Sequence, residues 1–87
     1  MFNMYCVYVL LCADMSLYTG ITNNLERRFE EHKNKKGGRY TRSHIAKKII
    51  YIEEQMTKSA ALKREKQIKG WPREKKIKVL NLVKLIN

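Results

Sequence analysis

The stretch from Tyr18 to His32, YTGITNNLERRFEEH, restricts the fold of this chain more than any other. It predicts the end of a strand, a turn permitted by Gly20, and then a helix. Asn23 or Asn24 can cap that helix, because a short amide side chain accepts from the unpaired amides of a first helical turn, and Glu26 would complete a capping box from Asn23. With Leu25 as origin and about 100° per residue, Phe29 falls at about 40°, His32 at about 340° and Arg28 at about 300°, whereas Arg27 falls at about 200°. Arg28 and His32 therefore border the apolar stripe, and Arg27 faces water.

The rest of the chain arranges itself around this unit. Met4 to Cys12, MYCVYVLLC, is aromatic and β-branched enough for a well-buried strand. Ala13 to Ser16 turns the chain, and Leu17 to Ile21 returns as an antiparallel partner. Whether Tyr8 and Tyr18 share a face depends on turn length, since a slip of one residue inverts every side chain. Lys47 to Glu54 alternates as a third strand, with Ile50 and Ile52 on one face and Ile49 and Tyr51 on the other. Thr57 caps a helix that runs to Lys69, and Gly70 suits a left-handed residue at its end. Pro72 then opens a last helix with Ile77, Leu80, Val83 and Lys84 on one face. The order β-β-α-β-α-α predicts one small α+β domain over 1–87, a three-stranded antiparallel sheet flanked by helices.

Eighty-seven residues bury only a small core. The net charge of +11, from 19 Lys and Arg against 8 Asp and Glu, exceeds what solubility requires and points to a polyanion, with nucleic acid first. A membrane surface would need an amphipathic helix with large apolar anchors, and Trp71 sits instead at a break between helices. Cys6 and Cys12 are six residues apart on one strand, about 20 Å at strand rise, so they are expected as free thiols in a reducing, cytoplasmic setting. No His stands at ligand spacing from them, which argues against a zinc site. Met4 to Ala13 lacks the basic flank of a signal peptide, and no segment approaches transmembrane length.

Between the first helix and the third strand lies Lys33 to His44, KNKKGGRYTRSH. Its paired glycines allow close backbone approach to a phosphate, and Lys35, Lys36, Arg39 and Arg42 supply attraction independent of sequence. Tyr40 can stack on an unpaired base, and His44 can contact phosphate. The alternative is a solvated loop. On the later helix Glu65 falls inside the apolar arc of Ala61, Leu62 and Ile68, so its carboxylate must be neutralised, paired or bound to a cation. Pairing with Lys69 at helical spacing is the simple solution, and one carboxylate with waters and a substrate phosphate suits Mg²⁺ (or Mn²⁺).

Tyr8 in Cys6-Val7-Tyr8, Tyr18-Thr19-Gly20 ten residues later, Arg28-x-x-x-His32 and the distal Arg64-Glu65 together resemble the GIY-YIG nuclease domain over roughly Met4 to Lys76, nearest its small stand-alone bacterial members. Cys6-Val7 stands where the first motif has Gly-Ile, Thr19 where the second has Ile, and no late Asn is assignable. The resemblance implies that both tyrosine hydroxyls reach one site. It implies Glu65 as metal ligand, Arg28 as the cation on the scissile phosphate, Tyr8 as general base and His32 as its partner. Tyr18 would position water or phosphate, and Gly20 would allow close backbone approach. A phenol is a poor base at neutral pH, so positive charge from Arg28, Mg²⁺ or Lys35 is expected to lower the pKa of Tyr8.

The expectation is a monomeric, Mg²⁺-dependent endonuclease that hydrolyses DNA phosphodiesters, and the resemblance implies a 3′-hydroxyl and a 5′-phosphate as products. A domain this small contacts few base edges, so single-stranded, flapped or branched DNA is favoured over a duplex recognition sequence, with repair or recombination as a setting. The rival is a non-catalytic basic module that binds DNA or RNA. A third reading is a protein-interaction domain using the last helix, where Val79, Leu82 and Ile86 widen the apolar surface.

Overall fold

The computed structural model describes residues 4–34 and 44–86. β1 (Tyr5–Cys12), β2 (Leu17–Thr22), α1 (Leu25–Lys33), β3 (Ala46–Gln55), α2 (Lys58–Lys69), α3 (Arg73–Val79) and α4 (Val83–Ile86) follow in order. The sheet is antiparallel with β1 in the middle, in the order β2-β1-β3. A central strand must be apolar on both faces, and Val7 to Cys12 is accordingly buried without a break.

The two faces carry two cores. Val7, Val9 and Leu11 pack with Ala61 and Ile68 of α2 and with Leu80 and Leu82 beyond it. Tyr8 and Leu10 point the other way, against Leu25 and Phe29 of α1. Each fully buried aliphatic side chain contributes about 1.5 to 3 kcal/mol, so each helical layer is held mainly by burial.

The turn between β1 and β2 sets the register. Cys12 N–H donates to Ser16 O at 2.9 Å and Met15 N–H to Cys12 O at 2.9 Å, with Met15 at φ 71°. Leu10 is thereby opposite Tyr18 and Tyr8 opposite Gly20, which puts both tyrosines on the α1 face.

Several local expectations are corrected. The cap of α1 is Asn24, whose Oδ1 accepts from Arg27 N–H at 3.1 Å, so Glu26 is one position early for a capping box. Thr57 caps α2 as expected, accepting from Ala60 N–H at 3.1 Å. Gly70 is right-handed, at φ −74° and ψ −12°, because α2 ends by bonding the Gly70 amide back to its last carbonyls. The alternation in β3 is broken by a bulge: Val9 pairs with Tyr51 but Leu10 with Ile49, so Ile50 is an extra residue. Ile50 and Tyr51 therefore join the α2 core together, Ile49 joins the α1 core, and Ile52 is exposed. The last helix is interrupted at Asn81, which is left-handed at φ 58°. This break buries both Leu80 and Leu82, which a continuous helix would set about 200° apart, and leaves Val83 outside. Pro72 is the residue before α3 rather than its first turn.

Candidate active site

Tyr8 is almost fully buried, and its hydroxyl lies 2.8 Å from His32 Nε2. His32 is itself completely enclosed. The Tyr18 ring meets the His32 ring edge-on at 5.0 Å and stands 6.3 Å from the Tyr8 ring. Gly20 makes room for this stack: a Cβ there would fall 2.6 Å from the Tyr8 hydroxyl and 2.7 Å from its ring carbon. The constraint is space rather than backbone conformation.

Arg28, one turn before His32, lies close enough to the Tyr8 hydroxyl to act on its charge and donates to Glu31 Oε1 at 3.2 Å. The phenol can donate to His32 Nε2 when the ring carries its proton on Nδ1, and its oxygen keeps lone pairs for the Arg28 guanidinium, which can only donate. Burial, with Arg28 beside it, pushes the His32 pKa down to about 4, so the imidazole is neutral at neutral pH, with one ring nitrogen able to accept a proton. Tyr8 moves against expectation. Burial drives its pKa up to about 12, and the neighbouring Tyr18 and Glu65 add to the rise, which together outweigh the lowering by Arg28.

Glu65 approaches from the opposite helical layer, because α2 lies along the outer strand β2. Its Oε2 is 3.3 Å from Lys69 Nζ, and Lys69 in turn sits 5.9 Å over the Tyr18 ring. The carboxylate is only 17% exposed. Tyr8, Tyr18, Gly20, Arg28, His32 and Glu65 thus converge from β1, β2, α1 and α2. Lys69 joins them, and its only sequence signal was the four-residue spacing from Glu65.

A group of three or more His, Cys, Asp or Glu side chains able to hold a metal is absent among the described residues. The carboxylate that the cluster offers among the described residues is Glu65. It fits a hard cation that keeps most of its waters and takes oxygens from substrate, as Mg²⁺ does, and does not fit a zinc-type cage.

His44 stands apart from this cluster. Its Nδ1 faces Asp14 Oδ2, and Asp14 Oδ1 accepts from the Ser16 amide at 3.0 Å, so His44 ties the start of β3 to the β1–β2 turn. Lys35, Lys36, Arg39, Tyr40 and Arg42 lie outside the described residues. Cys6 and Cys12 are free thiols, as expected.

Arg64 does not point into the site. Its Nε lies 3.1 and 3.0 Å from the two Glu53 oxygens, and its guanidinium is 5.3 Å over Trp71. Sequence reasoning missed Glu53, whose signal was a carboxylate on the buried face of β3. It also missed an open cleft of about 530 Å³ beside Arg28, lined by Tyr5, Ile21, Thr22, Asn23, Arg27, Arg28, Glu31 and Lys58.

Residues 4–78 match the GIY-YIG catalytic domain. The chain belongs to the GIY-YIG family. It is 45% identical over 74 residues to UPF0213 protein OB0043 of Oceanobacillus iheyensis, covering 85% of this chain and 86% of that one. A UPF0213 protein of Natronomonas pharaonis is 49% identical over 70 residues, or 80% and 82% of the two chains. Among solved structures, the solution structure of protein EF2693 from E. faecalis superposes with TM-score 0.64 at 36% identity, covering 100% of this chain and 95% of that one. UPF0213 protein BH0048 from Bacillus halodurans does so with TM-score 0.55 at 32% identity, covering 91% and 84%. The GIY-YIG membership makes this a nuclease-family domain with the three-stranded architecture expected from sequence. Among the described residues, no helix is long and apolar enough to cross a membrane.

Proposed function

We propose that this GIY-YIG domain is a divalent-metal-dependent endonuclease that hydrolyses DNA phosphodiester bonds and selects unpaired or branched structure rather than a sequence. The observation that carries this reading is the Tyr8 hydroxyl bonded to His32 Nε2, with Arg28 and Glu65 both near enough to act on the charge of the phenol. In it a cation, a proton path and a carboxylate converge on a few ångströms of a strongly basic protein.

Arg28 holds the non-bridging oxygens of the scissile phosphate, where negative charge grows as water attacks phosphorus. With a pKa of about 12, Tyr8 cannot wait as a phenolate at neutral pH. Instead it takes a proton from the attacking water while passing its own to His32, so no free phenolate forms. The new P–O bond forms as the bond to the 3′ oxygen breaks, and that oxygen collects a proton from solvent. Glu65 would hold the Mg²⁺ or Mn²⁺, which supplies charge neutralisation at the phosphate and the departing oxygen. Tyr18 and Lys69 frame the space over His32. The cytoplasm, a role in DNA repair or recombination, and action as a monomer complete the proposal.

The test is cleavage of end-labelled single-stranded, duplex and branched DNA with Mg²⁺ or Mn²⁺ by the wild type, Glu65→Ala and Arg28→Ala. Cutting by the wild type, with both variants binding but not cutting, supports the enzyme. Equal binding by all three with no cleavage of any substrate overturns it in favour of a basic binding module.

A further inference from the structure

The cleft beside Arg28 belongs to no step of this mechanism. It opens where β1 begins and β2 ends, between the first turns of α1 and α2. Arg27 and Arg28 from α1 and Lys58 from α2 put three cations on it, against one carboxylate, Glu31, which Arg28 already engages. Among the described residues, Arg27 and Lys58 have no ion-pair partner. Tyr5 and Ile21 form an apolar wall, and Asn23 offers an amide at the rim.

We infer that this cleft binds the unpaired DNA strand next to the scissile phosphate, with Arg27 and Lys58 on the adjoining backbone phosphates and one base against Tyr5. The surplus of two positive charges matches a polyanion. About 530 Å³ is the size of a small-molecule pocket, so it admits roughly a nucleotide, and a base can enter it only when unpaired. Arg28 belongs to both the cleft and the Tyr8 cluster, so a strand held at the scissile phosphate runs directly into the cleft. A base needs an apolar or aromatic surface to lie on, and Tyr5 is the ring available there. The inference rests on the nuclease reading for the position of the scissile phosphate, but its binding surface is testable without turnover.

The experiment measures fluorescence anisotropy of a labelled single strand and of a blunt duplex in EDTA, so that nothing is cut, over a range of salt. Wild type is compared with Arg27→Ala/Lys58→Ala and with Lys78→Ala/Lys84→Ala, a control that removes the same charge from the exposed surfaces of α3 and α4. The cleft variant is expected to bind the single strand about tenfold more weakly, with a salt slope shallower by about 1.4, two phosphates' worth for a single strand. The control and the duplex should change less than about twofold. Equal losses in the two variants, or equal losses on single strand and duplex, would overturn the cleft. If the predicted binding pattern appears in a protein that cleaves nothing with Mg²⁺ or Mn²⁺, the nuclease reading falls while the cleft stands.

Discussion

Two arginines on two helices, one on each side of the sheet, make an instructive pair. Arg64 on α2 is committed within the protein: both oxygens of Glu53 accept from its Nε, Gln67 Oε1 accepts from its Nη1 at 2.7 Å, and its guanidinium lies 5.3 Å over the Trp71 ring. Glu53 is in turn held by Tyr51 at 2.6 Å and Gln55 at 2.7 Å. Arg28 on α1 has a phenol and a half-exposed carboxylate, beside a histidine that burial keeps neutral. One cation is balanced by an ionised partner in a closed network. The other shares one half-exposed carboxylate with solvent and otherwise faces a neutral phenol and a neutral imidazole, and so keeps field to spend on a phosphate. The partner, rather than the arginine, separates a structural charge from a functional one.

The contrast is broken or sharpened most strongly by exchanging the two losses. Arg28→Ala is expected to lower the cleavage rate about 10³-fold, because it removes charge stabilisation that grows in the transition state, while the melting temperature stays near wild type. Single-turnover cleavage beside thermal melting measures both. A comparable rate loss for Arg64→Ala at equal folded fraction would dissolve the distinction.

The next effect should come from Gly20→Ala. The added methyl meets the Tyr8 hydroxyl at 2.6 Å and the Tyr18 ring at 3.0 Å, and Tyr8 is too enclosed to retreat cheaply. Cleavage should fall about 100-fold through loss of the Tyr8–His32 bond, with about 1 to 3 kcal/mol of overpacking strain visible in denaturant unfolding. Unchanged cleavage would show that the Tyr8–His32 geometry is not what the active side of the molecule depends on.

Arg64→Ala belongs third, as a loss of stability of about 1 to 3 kcal/mol with cleavage by the folded fraction nearly intact. Glu53 is left among Tyr51 and Gln55 without its counter-charge, in a site only 21% exposed. Chemical denaturation followed by circular dichroism reads it. A neutral result would mean that Tyr51 and Gln55 suffice to hold Glu53 ionised.

How far these roles were legible beforehand follows the same division. The Arg28-x-x-x-His32 spacing placed both side chains on one helix border, because helical period is local information and survives without tertiary knowledge. The central strand was legible from its unbroken apolar run. The sharing of a face by Tyr8 and Tyr18 was not, since it depends on a turn built on Met15 at positive φ, a conformation that methionine does not announce. The bulge at Ile50 escaped for a like reason: alternation in KKIIYIEE was real, but pairing with β1 skipped a residue. Glu65 was singled out by its place in an apolar arc, while Arg64, equally prominent in the motif, turned out to serve Glu53. That pairing joins residues eleven apart across two elements and leaves no mark in either segment. The direction of the Tyr8 shift also required the fold, because burial, the largest cause, is invisible until the α1 layer is in place.

The smallest expected effect is a difference in pH response between the two sides. On the Arg28 side, His32 has a folded pKa of about 4, below its unfolded value of about 6.5. The unfolded chain therefore gains a proton first, and stability should fall as pH drops from about 6.5 to about 4, with no further loss from this group below. On the Arg64 side, burial pushes Glu53 up, but donation from Tyr51, Gln55 and Arg64 outweighs it and holds the carboxyl below its ordinary value of 4.5. Its contribution is present above that ordinary value and is lost as pH falls through the lower folded pKa, so its window opens as the His32 window nears its end. Urea unfolding at a series of pH values should show two successive declines. His32→Gln should flatten the upper one and leave the lower, and Glu53→Gln should do the reverse. If His32→Gln leaves the decline between about 6.5 and 4 unchanged, the imidazole is not the group kept neutral there. Arg28 would then have a cationic imidazole beside it, and Tyr8 would have no acceptor for its proton.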